Sequence, residues 1–354
     1  MSIDKKIVTS DTLPQEQIVS FFSKNLRDGY TIEDLNWQYK NELSGGGLFL
    51  LLDDEIIATQ GMIPIKLIVN GLEVLSVKSE SSFLDQKHRG KGYFDYLYYN
   101  AIDNCLNNNI YFFWGFTALD KLWKDKLNFS VYSVFYESLI VISLNKTIFQ
   151  ILLGKLCLKS KFLSISKNIY NFLLQKFHFS FKKNNIECEV LFDLNENRII
   201  DIYKSWQKSH NDYISLSLDS FFLNWRLNRN TKNKYNYIVF IKDNLDVGFA
   251  IFNNKNSICY LVELIIIDDT CIEDVISSII RQPYFKKNIS TLSYIGNIKN
   301  KYNLSIFKAI KNIGVKSNEL KDMKFVIKNY SKNDLLNEIE KYVLNALWTE
   351  GFKI

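Results

Sequence analysis

Three histidines and five cysteines in 354 residues leave little from which a metal centre could be built. His88, His178 and His210 lie far apart, and Cys105, Cys157, Cys188, Cys259 and Cys271 contain no Cys-x-x-Cys pair. Reduced, packed thiols fit this spacing better than a zinc site or a disulfide framework. Nor can so few histidines furnish a Ser/His/Asp constellation. No run of about 18 uncharged apolar residues occurs, which speaks against a membrane-spanning helix. The opening MSIDKKIVTSDTLPQ lacks the apolar core of a secretory signal. A metal-free, cytoplasmic globular protein is the expectation.

Acid is missing from one long stretch. Between Ser138 and Ile186 there is no Asp or Glu, while Lys146, Lys155, Lys159, Lys161, Lys167, Lys176, Lys182 and Lys183 all fall inside. Apolar positions at Ile148, Ile151, Leu152 and Leu156, and again at Ile169, Phe172, Leu173 and Phe177, have the spacing of amphipathic helices. Two readings stay open for 141–186: a helical connector with its lysines in water, or an interfacial helix on an anionic membrane or a clamp on an anionic substrate.

What is present is enough apolar residue, 47%, for two cores, and a net charge of only +6. The chain repeats itself. Leu35-Asn36-Trp37 is followed by the apolar run Leu48 to Leu52, a charged turn Asp53-Asp54-Glu55 and a second run from Ile56. Leu223-Asn224-Trp225 is followed by Tyr237 to Ile241, a turn Lys242-Asp243-Asn244 and the run Val247 to Phe252. A helical pattern precedes each copy, through Ile18, Val19, Phe21 and Phe22, and through Ile199, Ile200, Ile202, Tyr203 and Trp206. Two related domains are expected, 1–140 and 187–354, joined by 141–186.

Glycine is scarce, 14 in all, yet Gly90 and Gly92 stand together in HRGKGYFDYL. The stretch Val74 to Leu84, reached through Asn70-Gly71, reads as a strand. After Gly92, Phe94, Leu97, Tyr98, Ala101, Ile102 and Cys105 form a helical stripe. The glycines thus fall at a strand-to-helix junction, where backbone N–H groups and the helix dipole favour an anion, with Arg89, Lys91 and His88 adding charge. A phosphate or pyrophosphate is the expected ligand. The Walker pattern does not fit, and a dinucleotide fingerprint would need glycine at Asp95.

These residues resemble the Gcn5-related N-acetyltransferase superfamily, whose signature is Arg/Gln-x-x-Gly-x-Gly/Ala before a helix. Arg89 and Gly92 match, and Phe94 stands where Gly or Ala is usual. Downstream, the strand Ile110 to Phe116, a short helix from Thr117, and Leu127-Asn128-Phe129, similar to the family's Leu-Gly-Phe, follow in the family's order. The resemblance implies two tandem acyl-CoA N-acyltransferase domains, each a mixed, mostly antiparallel twisted sheet flanked by helices. It implies acetyl-CoA as cosubstrate, with its pyrophosphate on Arg89, Gly90, Lys91, Gly92, Tyr93 and Phe94, its pantetheine along Ser82, Phe83 and Leu84, and Thr117 at the end of the next strand. In the second half the strand Tyr260 to Ile267 runs into Asp268-Asp269, and acid there would repel a pyrophosphate. One cosubstrate site, in the first domain, is expected.

The resemblance further implies acetyl transfer to a primary amine, with Glu80 as the base that takes the amine's proton. Glu80 could alternatively hold a polar group of the substrate or the sheet. The family's tyrosine acid has no counterpart in Thr117 to Lys126, where Trp123 and Lys124 stand; Tyr93, Tyr132 or water are the substitutes. A tandem arrangement of this kind is similar to surface-polysaccharide acyltransferases acting on amino sugars, which sets Trp37, Trp225 and Arg226 against the acceptor. Core packing is the alternative for the tryptophans, since both copies keep them while only one keeps the glycines. Two further readings remain: a peptidoglycan-type transferase using aminoacyl-tRNA, which Arg89 to Gly92 disfavours, and a non-catalytic binding protein of the same fold. No nucleic-acid partner is expected on the first reading.

Overall fold

The computed structural model describes residues 5–39, 46–141, 185–229, 233–255, 258–282, 291–312 and 315–349. The first half contains β1 (Lys5–Thr9), α1 (Gln15–Asn25), α2 (Ile32–Tyr39), β2 (Gly47–Leu52), β3 (Glu55–Val69), β4 (Leu72–Leu84), α3 (Tyr93–Asn107), β5 (Phe112–Thr117), β6 (Ser130–Tyr132) and β7 (Phe135–Val141). Then come β8 (Glu187–Leu191), α4 (Glu196–Ser209), β9 (Ile214–Leu216), α5 (Ser220–Leu223), β10 (Tyr235–Lys242), β11 (Leu245–Lys255) and β12 (Ile258–Ile266). The chain continues through α6 (Ile272–Arg281), β13 (Thr291–Asn297), α7 (Lys301–Asn312), β14 (Ser317–Glu319) and β15 (Lys324–Asn329).

These strands make two mixed, mostly antiparallel sheets, as expected. One runs β1-β2-β3-β4-β5-β15-β6 with β9 on the far end of β3; the other runs β14-β7-β13-β12-β11-β10-β8. Each has one parallel pair at its centre, β4 with β5 and β12 with β13. The repeat is visible at the level of single residues. Both hairpins turn through two left-handed residues, Asp53 and Asp54 in one and Asp243 and Asn244 in the other. This is the turn whose twist suits two-residue hairpins. Both hairpins also carry a register shift just before the turn, after Leu50 and after Phe240.

The compact units are not contiguous in sequence. One takes in Met1–Val134, Asn211–Lys232 and Leu320–Tyr342; the other takes in Phe135–His210, Asn233–Glu319 and Val343–Ile354. The expected division at 140 and 187 therefore differs from the packing, and the cause is strand pairing. β15, from the end of the chain, lies between β5 and β6, while β7, from its first half, lies between β13 and β14. β5 and β13, the second strand of each parallel pair, thus obtain their antiparallel neighbour from the other half of the sequence. Of the expected connector 141–186, residues 142–184 lie outside the described residues.

In the first unit α3 covers one sheet face. Its stripe Leu97, Tyr98, Ala101, Ile102 and Cys105 is buried against Leu48, Leu50, Ala58, Met62, Val77 and Phe113, with Phe94 half-buried beside them. The opposite face receives α1 and α2 through Phe22, whose ring meets Tyr30, Tyr39 and Phe49. Among the described residues, no helix is long and apolar enough to cross a membrane.

Candidate functional site

β4 and β5 pair in parallel only from Val77, Lys78 and Ser79 to Phe113, Trp114 and Gly115. β4 continues to Leu84 and β5 to Thr117 without further pairing to each other, so the two strands part beyond Ser79. At the same place β4 bulges against β3. Thr59 pairs with Phe83 and Gly61 with Glu80, leaving Ser81 and Ser82 opposite Gln60. Ser81 takes φ +54°, left-handed backbone for a residue that rarely adopts it. Strain of this kind, of order 1–3 kcal/mol, persists where the surroundings over-determine it.

The chain leaves β4 through Asp85, whose carboxylate accepts from Lys87 N at 2.9 Å, and reaches α3 through Gly90 and Gly92. Both glycines have positive φ, +78° and +75°, and a Cβ on either would meet nothing within 4 Å. Glycine is required there by backbone conformation, and the space around both is open. No side chain caps α3. Its first-turn N–H groups have no acceptor within the helix, and they carry about half a positive charge. Arg89 and Lys91 are exposed at this end, Arg89 Nε donating to Leu84 O at 3.4 Å. An uncapped helix N-terminus with two left-handed glycines and two cations fits a pyrophosphate; the unpaired edge of β4 fits an amide-bearing chain. The residues present therefore suit an acyl-CoA.

The sequence-predicted residues fall around this cleft. Ser82 Oγ donates to Gln60 Oε1 at 2.6 Å, Phe83 packs edge-on against Phe21, and Leu84 lies on the α3 core. Gln60 Nε2 donates to Ser79 Oγ at 2.9 Å, and Tyr98 OH reaches the same Ser79 oxygen at 3.3 Å. Tyr93 and Phe94 pack on the core below the glycines, Phe94 5.9 Å from the Tyr98 ring. Thr117 Oγ1 accepts from Leu119 N at 2.9 Å, capping the turn after β5. Trp123 is core, edge-on to Tyr98 and Phe129.

Glu80 points to the face opposite α3. Its Oε2 is 3.4 Å from Lys78 Nζ, with the side chains 17% and 3% exposed, yet it has no hydrogen-bond partner among the described residues. Around it lies a buried polar cluster that no sequence motif marks. Tyr30 OH donates to Gln38 Oε1 at 2.7 Å and Gln38 Nε2 donates to Ser81 Oγ at 3.0 Å, which ties α2 to the bulge. Tyr39 is buried beside them, its hydroxyl interacting with Ser81 and with the Glu80 charge. Burial raises both phenols well above the usual range; the Glu80 charge adds to this. One signal was available: Gly61 stands in the middle of an otherwise strongly apolar strand, and such a glycine marks a bulge or a close approach.

Trp37, Trp225 and Arg226 do come together. Each indole N–H donates to the other tryptophan's carbonyl, and the Arg226 guanidinium lies over both rings at 4.9 and 4.7 Å. Trp225 and Arg226 are buried and Trp37 is half-buried.

The second unit answers the same geometry differently. β12 and β13 pair up to Leu261 and Tyr294 and then part. Between them lies the chain's own segment 343–349. Leu347 N donates to Val262 O at 3.0 Å, Asn297 N donates to Leu344 O at 3.2 Å, and Asn345 bridges Gly296. Glu263 beneath it accepts from Asn345 Nδ2 at 2.6 Å, and burial pushes its carboxyl up to about 7. At the strand-to-helix junction Asp268 accepts from Thr270 N, and Asp269 lies 3.1 Å from His210 Nε2. Among the described residues, no three His, Cys, Asp or Glu side chains gather as a metal would require.

No protein-family model matches the chain, and no curated protein matches its sequence. Solved structures do match in fold. A conserved Enterococcus faecalis protein of unknown function, described as a probable N-acyltransferase, superposes with a TM-score of 0.66 at 10% identity, over 91% of this chain and 72% of the other. A Gcn5-related N-acetyltransferase from Anabaena variabilis gives 0.63 at 9%, over 93% and 73%. Saccharomyces cerevisiae N-myristoyltransferase with bound myristoyl-CoA gives 0.56 at 12%, over 94% and 84%. The fold is that of the Gcn5-related acyltransferases.

Proposed function

We propose that the protein is an acyl-CoA-dependent N-acyltransferase, with acetyl-CoA as donor, a single site in the first unit, and a primary amine as acceptor. The observation that carries the reading is the parting of β4 from β5 beside an uncapped helix entered through Gly90 and Gly92. On this reading Arg89, Lys91 and the N–H groups of Gly92, Tyr93 and Phe94 bind the pyrophosphate. The free edge of Ser82 to Leu84 holds the pantetheine. The second unit supplies no site, since its own C-terminal segment lies between the parted strands and acid stands at its helix junction.

The cosubstrate supplies an activated acyl thioester. The chain's part is to orient the amine and take its proton. An amine with a pKa of about 10.4 is neutral in fewer than about one molecule in a thousand at pH 7. Glu80, on the far side of the parting strands, accepts that proton at Oε2, a contribution of about 10²–10⁴-fold in rate. For the acceptor we favour an amino sugar, nucleotide-linked or free, in cytoplasmic surface-polysaccharide synthesis.

Acetyl-CoA and bulk tRNA, titrated separately into the protein at low and high salt, test this reading. Saturable acetyl-CoA binding in the micromolar range is expected. Salt-sensitive tRNA binding without acetyl-CoA binding would overturn it.

A further inference from the structure

With the pantetheine along Ser82 to Leu84, the acyl end of the cosubstrate lies toward the apex where β4 and β5 rejoin, at Ser79 and Gly115. Backbone closes that apex: a Cβ at Gly115 would lie 2.9 Å from Ser79 O. On the side facing α3 the sheet is mostly apolar. Ala58 and Met62 of β3 and Val77 and Leu84 of β4 pack into the core that α3 covers. Gln60, Ser79 and Ser82 stand among them and interrupt this layer where the strands part.

These polar groups satisfy one another. Ser82 Oγ donates to Gln60 Oε1, Gln60 Nε2 donates to Ser79 Oγ and to Gly61 O, and Tyr98 OH donates to the same Ser79 oxygen. Gln60 and Tyr98 are fully buried and Ser79 nearly so. Burial holds the Tyr98 phenol well above its usual range, which keeps it a neutral donor. On the opposite face the apex carries the ion pair of Lys78 and Glu80. An alkyl chain driven past the apex therefore meets, on either face, buried polar groups whose partners it cannot replace. A short acyl group requires no such separation.

We propose that Gln60 and Ser79, held by Tyr98, form a polar floor at the apex of the cleft and set the upper limit on the acyl donor, so that acetyl and propionyl thioesters are accepted and octanoyl and longer ones refused. The inference rests on the acyltransferase reading above. The fold alone imposes no such limit, since an N-myristoyltransferase of the same fold holds myristoyl-CoA. Gln60 and Ser79 set donor size; the amine's proton is taken by Glu80.

The test is calorimetric titration of CoA, acetyl-CoA, propionyl-CoA and octanoyl-CoA into the wild-type protein, Gln60→Ala and Ser79→Ala. The wild type should bind acetyl- and propionyl-CoA within about threefold of each other and octanoyl-CoA at least about tenfold more weakly, the factor that one stranded buried polar group is worth. Gln60→Ala removes the bridge and its volume together, and should narrow the gap between octanoyl- and acetyl-CoA by about tenfold. Ser79→Ala, the smaller change, should narrow it in the same direction. The wild-type series decides the matter whether or not either variant folds. Octanoyl-CoA bound as tightly as acetyl-CoA by the wild type, or a gap left unchanged in whichever variant folds, would overturn the inference and leave the acyltransferase reading standing. Wild-type protein that binds neither CoA nor any of its thioesters would overturn both.

Discussion

Trp37 and Trp225, 188 residues apart, exchange hydrogen bonds: each indole N–H donates to the other's backbone carbonyl, at 2.9 and 2.7 Å. The two copies of Leu-Asn-Trp thus meet each other within one compact unit. Their recurrence has a structural cause, since each copy satisfies the other, and Arg226 lies over the pair.

This pairing predicts coupling. Trp37→Phe and Trp225→Phe should each destabilise the first unit by about 1–3 kcal/mol, because each removes a donor and leaves a buried carbonyl unpaired. In a double-mutant cycle followed by urea unfolding, the two should couple by at least about 0.5 kcal/mol. Strict additivity would show that the exchanged bonds contribute nothing as a pair.

Two glycines should respond differently to alanine. At Gly61 an added Cβ would lie 2.8 Å from Glu80 O and closer still to Tyr39 OH, so Gly61→Ala should cost about 1–3 kcal/mol or more. At Gly90 the Cβ meets nothing, and only the positive φ opposes it, so Gly90→Ala should cost about 1–2 kcal/mol. Thermal melts of the two variants compare them directly, and Gly61→Ala as the milder change would contradict the packing described around Tyr39.

Glu263 sets a pH dependence of opposite sign to that of a salt-bridged acid. Burial lifts its carboxyl from 4.5 to about 7, with Asn345 and the Leu264 N–H pulling partly back. Between these values the folded protein binds more protons than the unfolded chain. The residue's contribution is therefore full below about pH 4.5 and is lost as pH rises through about 7. Glu263→Gln keeps an oxygen for Asn345 and should raise stability above about pH 7 by on the order of 3 kcal/mol. A denaturant-midpoint series from acid to alkaline pH reads this; identical slopes for both proteins would show that Glu263 titrates normally.

Glu80→Gln should lower kcat about 10²–10⁴-fold near neutral pH while acetyl-CoA affinity stays unchanged, because the carboxylate serves the amine and not the cosubstrate. The deficit should shrink at high pH, where the free amine is abundant. A uniform loss at all pH values would assign Glu80 to binding or folding instead.

Much of this was legible in sequence because it is local. The hairpin turns at Asp53-Asp54, Asn70-Gly71 and Asp243-Asn244 take the left-handed conformations those residues favour. The stripe from Leu97 to Cys105 is the buried face of α3. Even the departure at Asn128 is explained locally. Its φ is +55°, which glycine adopts freely and asparagine tolerates best among the others. What sequence could not show is long-range. β15 beside β5 and β7 beside β13 join residues 150 or more positions apart, and no periodicity records which strand fills which edge. The segment 343–349 between the parted strands of the second unit was hidden for the same reason. Tyr39 reads as one more apolar position of α2 until Gly61 is placed beneath its hydroxyl.

The most direct measurement is calorimetric titration of acetyl-CoA into the wild-type protein and into Gly92→Glu. A Cβ at Gly92 meets nothing within 4 Å, so the variant should fold, with only the strain of its positive φ. It places a negative charge at the uncapped end of α3. The account predicts micromolar binding by the wild type and none by the folded variant. Equal binding by both proteins, or none by the wild type, would contradict the assignment of the Gly90 to Gly92 loop as the cosubstrate's cradle.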